Sequence, residues 1–310
     1  HKTILVAPLN WGLGHATRSI PIIYALLADG FEVIIASDGM ALTLLQKEFP
    51  QLEGIELPSY KIEYAKKGKR FKWKMLLRSP KVLKAIRQER EQLKELVKNK
   101  KIDGVISDNR LGLYHTEIPT VFITHQLQVL SGSTTRLTSA MHRSYIKKFD
   151  ECWVPDFADD ANLSGKLGHP KKFEIPVKYI GALSRLEQKE TASSYDIMVL
   201  LSGPEPQRTE LEEILMHELK HYKGQVLFVR GVVEAEQKVT RKEQVKIVNF
   251  METEDLQNAI CSSDLVICRS GYTTIMDLFK LGKKAFFIPT PGQTEQEYLA
   301  KRLHTMGIVP

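Results

Sequence analysis

The stretch LNWGLGHATRS, residues 9–19, places two glycines and a histidine between an apolar run, TILVAP, and a segment of helical spacing, IPIIYALLADG. Gly12 and Gly14 stand where a backbone must turn sharply or let a ligand come close. The helix that starts near His15 offers N–H groups and a positive dipole end to an anion such as a phosphate. Three readings of this turn are open. It could be a dinucleotide fingerprint with Asp38 as the ribose acid, although Thr17 occupies the place of the third glycine. It could be a tight turn with a capping histidine. Or His15, with an ordinary pKa near 6.5 and a helix N-terminus to keep it neutral, could serve as a general base.

A second group of chemistry-bearing residues lies in DLVICRSGYTTIMDLFKLGKKAFFIPTPGQTEQEYLA, residues 264–300. An apolar run ends at Arg269-Ser270-Gly271, and a helix opens with Thr273 and Thr274, a small-residue turn suited to phosphate oxygens. Asp277 can accept hydrogen bonds from ribose hydroxyls. PTPGQ makes a rigid turn before Glu295 and Gln296, an acid and an amide that together can read sugar hydroxyls. LLSGPEPQR, 200–208, ends another apolar run with Ser202 and Gly203. Asp108, Asn109 and Arg110 follow IDGVIS; they either orient His15 and contact an acceptor or form a plain Asx turn. His125 and Gln126 follow PTVFIT and divide in the same way between acceptor contact and loop hydrogen bonding. His217 and His221 are four apart on a helix, but no third ligand accompanies them, and no metal site is expected.

Positioning these groups requires short apolar strands alternating with helices. Strands are expected at 3–8, 31–37, 102–107, 119–124 and 151–155, then at 195–202 and in QVLFVRG, VKIVNF, DLVICRS and KAFFIPT. Helices are expected near 15–29, 39–48, 82–98, 134–148, 208–221, 253–262, 271–281 and 293–306. The pattern implies α/β architecture, two doubly wound parallel-sheet domains in tandem. Domain one is expected at 1–181, a polar linker at 182–194 and domain two at 195–310. Ligands of such sheets bind outside the carboxyl ends of the strands, so a cleft between the two domains is the expected site.

Charge narrows the partners. Of the net +7, the segment from Lys61 to Arg90 carries an excess of +10, leaving −3 elsewhere, so a chain coated in nucleic acid is not implied. Within it, KKGKRFKWKMLLRS, 66–79, interleaves cations with Phe71, Trp73 and Met75. It reads as a solvated face or as a segment that docks on an anionic bilayer. No apolar run approaches twenty residues, and the N-terminus enters a strand at once, so neither a transmembrane helix nor a signal peptide is expected. Cys152, Cys261 and Cys268 form no CxxC pair, which fits a reduced, cytoplasmic setting, peripheral on the membrane if 66–79 docks.

The constellation resembles the MurG-like, family 28 type of GT-B glycosyltransferases, which move N-acetylglucosamine from UDP onto a lipid-linked acceptor. GLGHATR is similar to the GxGHxxR start of that superfamily. The resemblance implies two Rossmann-like domains, with the nucleotide-sugar held by the second. Ser270, Gly271 and Thr274 would lie by the nucleotide and its phosphates, together with Arg269. Asp277, standing where Glu is common, would match the ribose carboxylate. Glu295 and Gln296 would read the donor sugar, Ser202 and Gly203 would approach the diphosphate, and His15 would lie near the acceptor. It further implies no metal or other cofactor, and a terminal helix beyond Pro310 that returns to the first domain. The expected activity is transfer of a sugar, UDP-linked, to a hydroxyl acceptor. The alternatives are a nucleotide-sugar hydrolase with water as acceptor and a binding protein that turns nothing over.

Overall fold

The computed structural model describes residues 1–60, 80–130, 135–232, 234 and 236–310. The basic segment 66–79 lies outside them. The described residues up to Arg185 form one compact unit, and Leu186–Pro310 form a second. This division falls inside the segment 182–194 expected as a linker. Leu183 packs into the first unit's interior, while Glu187 N donates to Gln257 Oε1 of the second at 2.7 Å.

In the first unit the strands are β1 (Thr3–Pro8), β2 (Glu32–Ser37), β3 (Glu53–Glu56), β4 (Ile102–Asp108), β5 (Thr120–Ile123), β6 (Glu151–Val154) and β7 (Val177–Tyr179). They form one sheet in the order β3-β2-β1-β4-β5-β6-β7, every pair parallel. The helices are α1 (Gly14–Ala28), α2 (Gly39–Glu48), α3 (Pro80–Lys100) and α4 (Thr135–Ile146). Successive residues of β1 serve opposite faces, as a strand's period of two requires. Val6 packs with Ile20, Ile23 and Leu45 under α1 and α2, whereas Leu5 and Ala7 pack with Leu93 of α3. A sheet covered on both faces explains the nearly continuous apolar runs of its central strands.

The second unit repeats the plan with β8 (Tyr195–Leu200), β9 (Val226–Val229), β10 (Val239–Lys242), β11 (Val245–Val248), β12 (Ser263–Cys268) and β13 (Lys284–Phe287). Its order is β10-β11-β9-β8-β12-β13, parallel except for the antiparallel pair β10-β11. The helices are α5 (Gln207–Glu218), α6 (Thr253–Cys261), α7 (Tyr272–Lys280) and α8 (Thr294–Thr305). Leu211 and Leu215 of α5 pack on Val199, Val226 and Phe228 of the sheet. No described helix is long and apolar enough to cross a membrane.

In each sheet the first strand of the unit is central and later strands add on either side of it. The switch points therefore lie between β1 and β4 and between β8 and β12, and the carboxyl ends of these pairs open the crevices where doubly wound sheets take ligands.

Candidate functional site

At the first switch point, Pro8 and Asp108 are register partners at the ends of β1 and β4, and Leu9 N donates to Asp108 O at 2.9 Å. Gly12 adopts φ +69° and has open space where a Cβ would sit, so the chain can reverse here and enter α1 at Gly14. No side chain caps α1, which rules out the capping-histidine reading and leaves its first-turn N–H groups without intrahelical acceptors.

His15, on the first turn, points back to β4, where its Nδ1 lies 2.9 Å from Asp108 Oδ1. Arg18, one turn further along the same buried face, grips that carboxylate with both arms: Nε donates to Oδ2 at 2.5 Å and a terminal nitrogen donates to Oδ1. Its other terminal nitrogen approaches His125 Nδ1 at 3.3 Å. Arg18 and Asp108 are each 1% exposed. Burial by itself would raise the Asp108 pKa, but the charges of Arg18 and His15 and their hydrogen bonds overcome it and hold the carboxyl at about 2. Burial lowers the His15 pKa, Arg18 and His125 lower it further, and Asp108 opposes them. At neutral pH the pair is therefore an ionised carboxylate and a neutral imidazole. An ionised acceptor assigns the Nδ1 proton to the Asp108 bond, although Arg18 also lies 2.9 Å from Nδ1. Nε2, with no hydrogen-bond partner among the described residues, is then the basic nitrogen. This is the chemistry of a general base oriented by a carboxylate.

The neighbouring expectations divide. Asn109 follows Asp108 with φ +60°, a left-handed conformation that Asn tolerates, and is half-buried at the same strand end. Arg110, expected as an acceptor contact, has no exposed surface. It pairs with Asp38 and with Glu89 Oε1 at 2.6 Å, and donates to the carbonyl of Pro8 at 3.0 Å. Glu89 completes this cluster by accepting from Tyr60 Oη at 2.7 Å and Gly112 N at 3.1 Å. Arg110 is thus an internal strut, and Asp38, spent on it, does not fit the role of ribose acid. His125 and Gln126 are also buried: the first meets Arg18, and Gln126 N donates to Thr124 Oγ1 at 3.1 Å. Burial replaces their expected acceptor contact with support for the network. Arg18 had no assigned role in the sequence reading, yet its place three residues after His15 puts both on one helix face, and that spacing was a usable signal.

At the second switch point, three turns emerge side by side, because Cys268 is in register with Leu200 on one side and Phe287 on the other. Ser202 and Gly203 are exposed, and Gly203 takes φ +108°, which only glycine adopts readily. Gly271 is the N-cap of α7, extended and without a side-chain cap, and Thr273 and Thr274 are half-buried at the helix start. Asp277 is half-buried further along α7, and Glu295 is half-buried in the first turn of α8. Gln296 accepts from Thr290 N through Oε1 at 2.8 Å, which leaves its Nε2 to donate. Two expected donor contacts turn inward instead. Ser270 Oγ donates to Gln296 O at 2.8 Å, tying the turn before α7 to α8. Arg269 donates to the carbonyls of Ile288, Pro289 and Gln207 at 3.2, 3.0 and 2.8 Å, so it fastens β13 and α5 to β12. Among the described residues no cluster of three or more His, Cys, Asp or Glu is arranged to hold a metal ion.

Residues 207–309 match the family model of the glycosyltransferase family 28 C-terminal domain. The second unit is thus similar to a family 28 C-terminal domain over most of its length. The UDP-N-acetylglucosamine--N-acetylmuramyl-(pentapeptide) pyrophosphoryl-undecaprenol N-acetylglucosamine transferase of Haemophilus influenzae (strain PittGG) is 25% identical over 227 residues. That match covers 70% of this chain but 61% of the relative, less than two thirds of its length. An uncharacterized glycosyltransferase of Methanosarcina acetivorans is 24% identical over 322 residues, covering 95% of this chain and 81% of that protein. Among solved structures, MurG of Acinetobacter baumannii superposes with a TM-score of 0.55 at 15% identity, over 100% of this chain and 84% of that one. UGT2 of Phytolacca americana, solved with UDP-2-fluoro-glucose and pterostilbene, gives 0.68 at 14% identity, over 100% and 85%. The fold is therefore GT-B.

Proposed function

We propose that the chain is a glycosyltransferase that moves a sugar from a UDP-linked donor to a hydroxyl acceptor. The observation that carries the reading is the pair of buried Asp108 and half-buried His15, which presents a neutral imidazole with its free nitrogen at the carboxyl end of β4. In the reaction, His15 Nε2 takes the proton of the acceptor hydroxyl as its oxygen bonds to the anomeric carbon. The bond from that carbon to the diphosphate oxygen breaks, and UDP leaves with the electron pair. A single displacement of this kind inverts the anomeric centre. The family 28 domain supplies the donor site: N–H groups at the uncapped start of α7 and the turn at Gly203 take the charge of the leaving diphosphate, with no metal needed. Asp277 receives the ribose hydroxyls, and Glu295 with Gln296 Nε2 reads the sugar. The acceptor is lipid-linked, a reading supported by the pyrophosphoryl-undecaprenol substrate in the name of the Haemophilus relative, and 66–79 holds the chain at an anionic membrane.

The test is UDP release from UDP-N-acetylglucosamine, with and without membrane lipid extract. Transfer requires release that depends on lipid. Equal release without lipid means hydrolysis, and tight UDP binding with no release means a sensor; either defeats the proposal. His15→Ala should abolish turnover and leave UDP affinity within twofold, because the donor groups belong to the other unit.

A further inference from the structure

Two buried polar atoms at adjoining strand ends of the second sheet have no hydrogen-bond partner among the described residues: Thr290 Oγ1, after β13, and Arg269 Nε, after β12. Thr290 is 3% exposed. Its backbone is fully used, since N donates to Gln296 Oε1 at 2.8 Å and O accepts from Gln293 N at 3.0 Å. Only the hydroxyl is left over. It lies on the side of Gly203, where a Cβ built on that exposed glycine would meet Thr290 Oγ1 first, at 3.9 Å. Beside it, Arg269 donates only to carbonyls and makes no ion pair among the described residues. Burial lowers its pKa, with Glu210 opposing, so its positive charge is poorly compensated.

Buried hydroxyls almost always have partners, and leaving one unpaired is unfavourable. A group that arrives with a ligand would supply the missing acceptor. The surroundings specify its chemistry. Arg269 Nε and the N–H groups at the uncapped start of α7 can only donate, Thr290 Oγ1 can donate as well as accept, and Gln296 Oε1, the nearby amide acceptor, already holds one hydrogen bond, so donors outnumber acceptors here. A sugar hydroxyl needs an acceptor as well as a donor; an anionic oxygen needs donors alone. We propose that Thr290 is a binding residue for the diphosphate of the nucleotide donor, its hydroxyl donating to a phosphate oxygen that lies against Gly203. The inference rests on the donor reading above and adds a residue to it.

Thr290→Val removes the hydroxyl at nearly constant shape, and Thr290→Ser keeps it. Calorimetric titration with UDP and with uridine separates diphosphate from nucleoside contacts. Thr290→Val should weaken UDP binding about 10-fold, the effect of one hydrogen bond to a charged group, and leave uridine binding unchanged. Thr290→Ser should stay within about threefold of wild type for both. Without ligand, Thr290→Val should melt no lower than wild type, because no internal partner is lost. Unaltered UDP affinity in Thr290→Val, an equal loss for uridine, or a lower melting temperature without ligand would each overturn the inference. Failure of the wild-type protein to bind UDP overturns the donor reading and this inference together.

Discussion

Replacing Asp108 by Asn probes structure and chemistry at one atom pair. In the folded protein the carboxyl falls from 3.8 to about 2, which corresponds to about 2 kcal/mol in favour of the ionised form. Asn cannot neutralise Arg18, a guanidinium with almost no access to water, and breaking a buried pair from one side costs about 3–5 kcal/mol. In a unit of this size that lowers the melting temperature by roughly 10 °C. The imidazolium formed in the reaction also loses its counter-charge, so kcat should fall by about 10² or more, within the range of general-base catalysis. The assay is lipid-dependent UDP release at saturating donor, well below the variant's melting temperature, with UDP affinity measured in parallel. A second variant separates the two effects. Arg18→Met combined with Asp108→Leu removes both charges, so it should recover most of the lost stability and remain inactive. If Asp108→Asn turns over within threefold of wild type, the carboxylate does not support His15; if its melting temperature is unchanged, the ion pair does not hold the strand end.

Acid should unfold the first unit early. Burial holds His142 down at about 4, with His125 and Arg143 acting the same way, so below pH 6.5 the unfolded chain binds a proton that the folded chain refuses. Stability is then full above pH 6.5 and declines by about 3 kcal/mol as pH falls to 4, with His15 acting in the same sense. Denaturant midpoints measured across that range should show the slope, and His142→Gln should flatten it. Asp277→Ala should weaken UDP binding about 10-fold, the loss expected for a charge-assisted hydrogen bond; equal affinity by calorimetry would remove it from the ribose site. Gly203→Ala has room for its methyl but must hold φ +108°, so it should cost about 1–3 kcal/mol or displace the turn. The prediction fails if neither melting temperature nor UDP affinity changes.

The central strands were legible because burial on both faces writes itself as TILVAP or DLVICRS. The strands missed by the sequence reading, EGIE at 53–56, VKY at 177–179 and VTRK at 239–242, are short, polar and sit at or next to a sheet edge, where one flank needs no apolar partner. The turn at Gly12 and the placement of His15 followed from strand-then-helix order alone. What could not be read was which polar side chains turn inward. Arg110 meets Asp38 across 72 residues of chain and Glu89 across 21, and only the folded sheet brings them together. Ser270 and Arg269 look from the sequence like ligands at a helix start, yet backbone carbonyls claim the Ser270 hydroxyl and both terminal nitrogens of Arg269.

Each unit has its own sheet and its own apolar interior, and the hydrogen bonds that join His15, Asp108, Arg18 and His125 to one another lie within the first. On the proposed function, nucleotide preference should be transplantable: a chimera carrying another relative's second half would inherit that relative's donor while keeping the His15–Asp108 pair intact. Evolution has the same freedom, and can shuffle old specificities as interchangeable modules instead of rebuilding a pocket residue by residue.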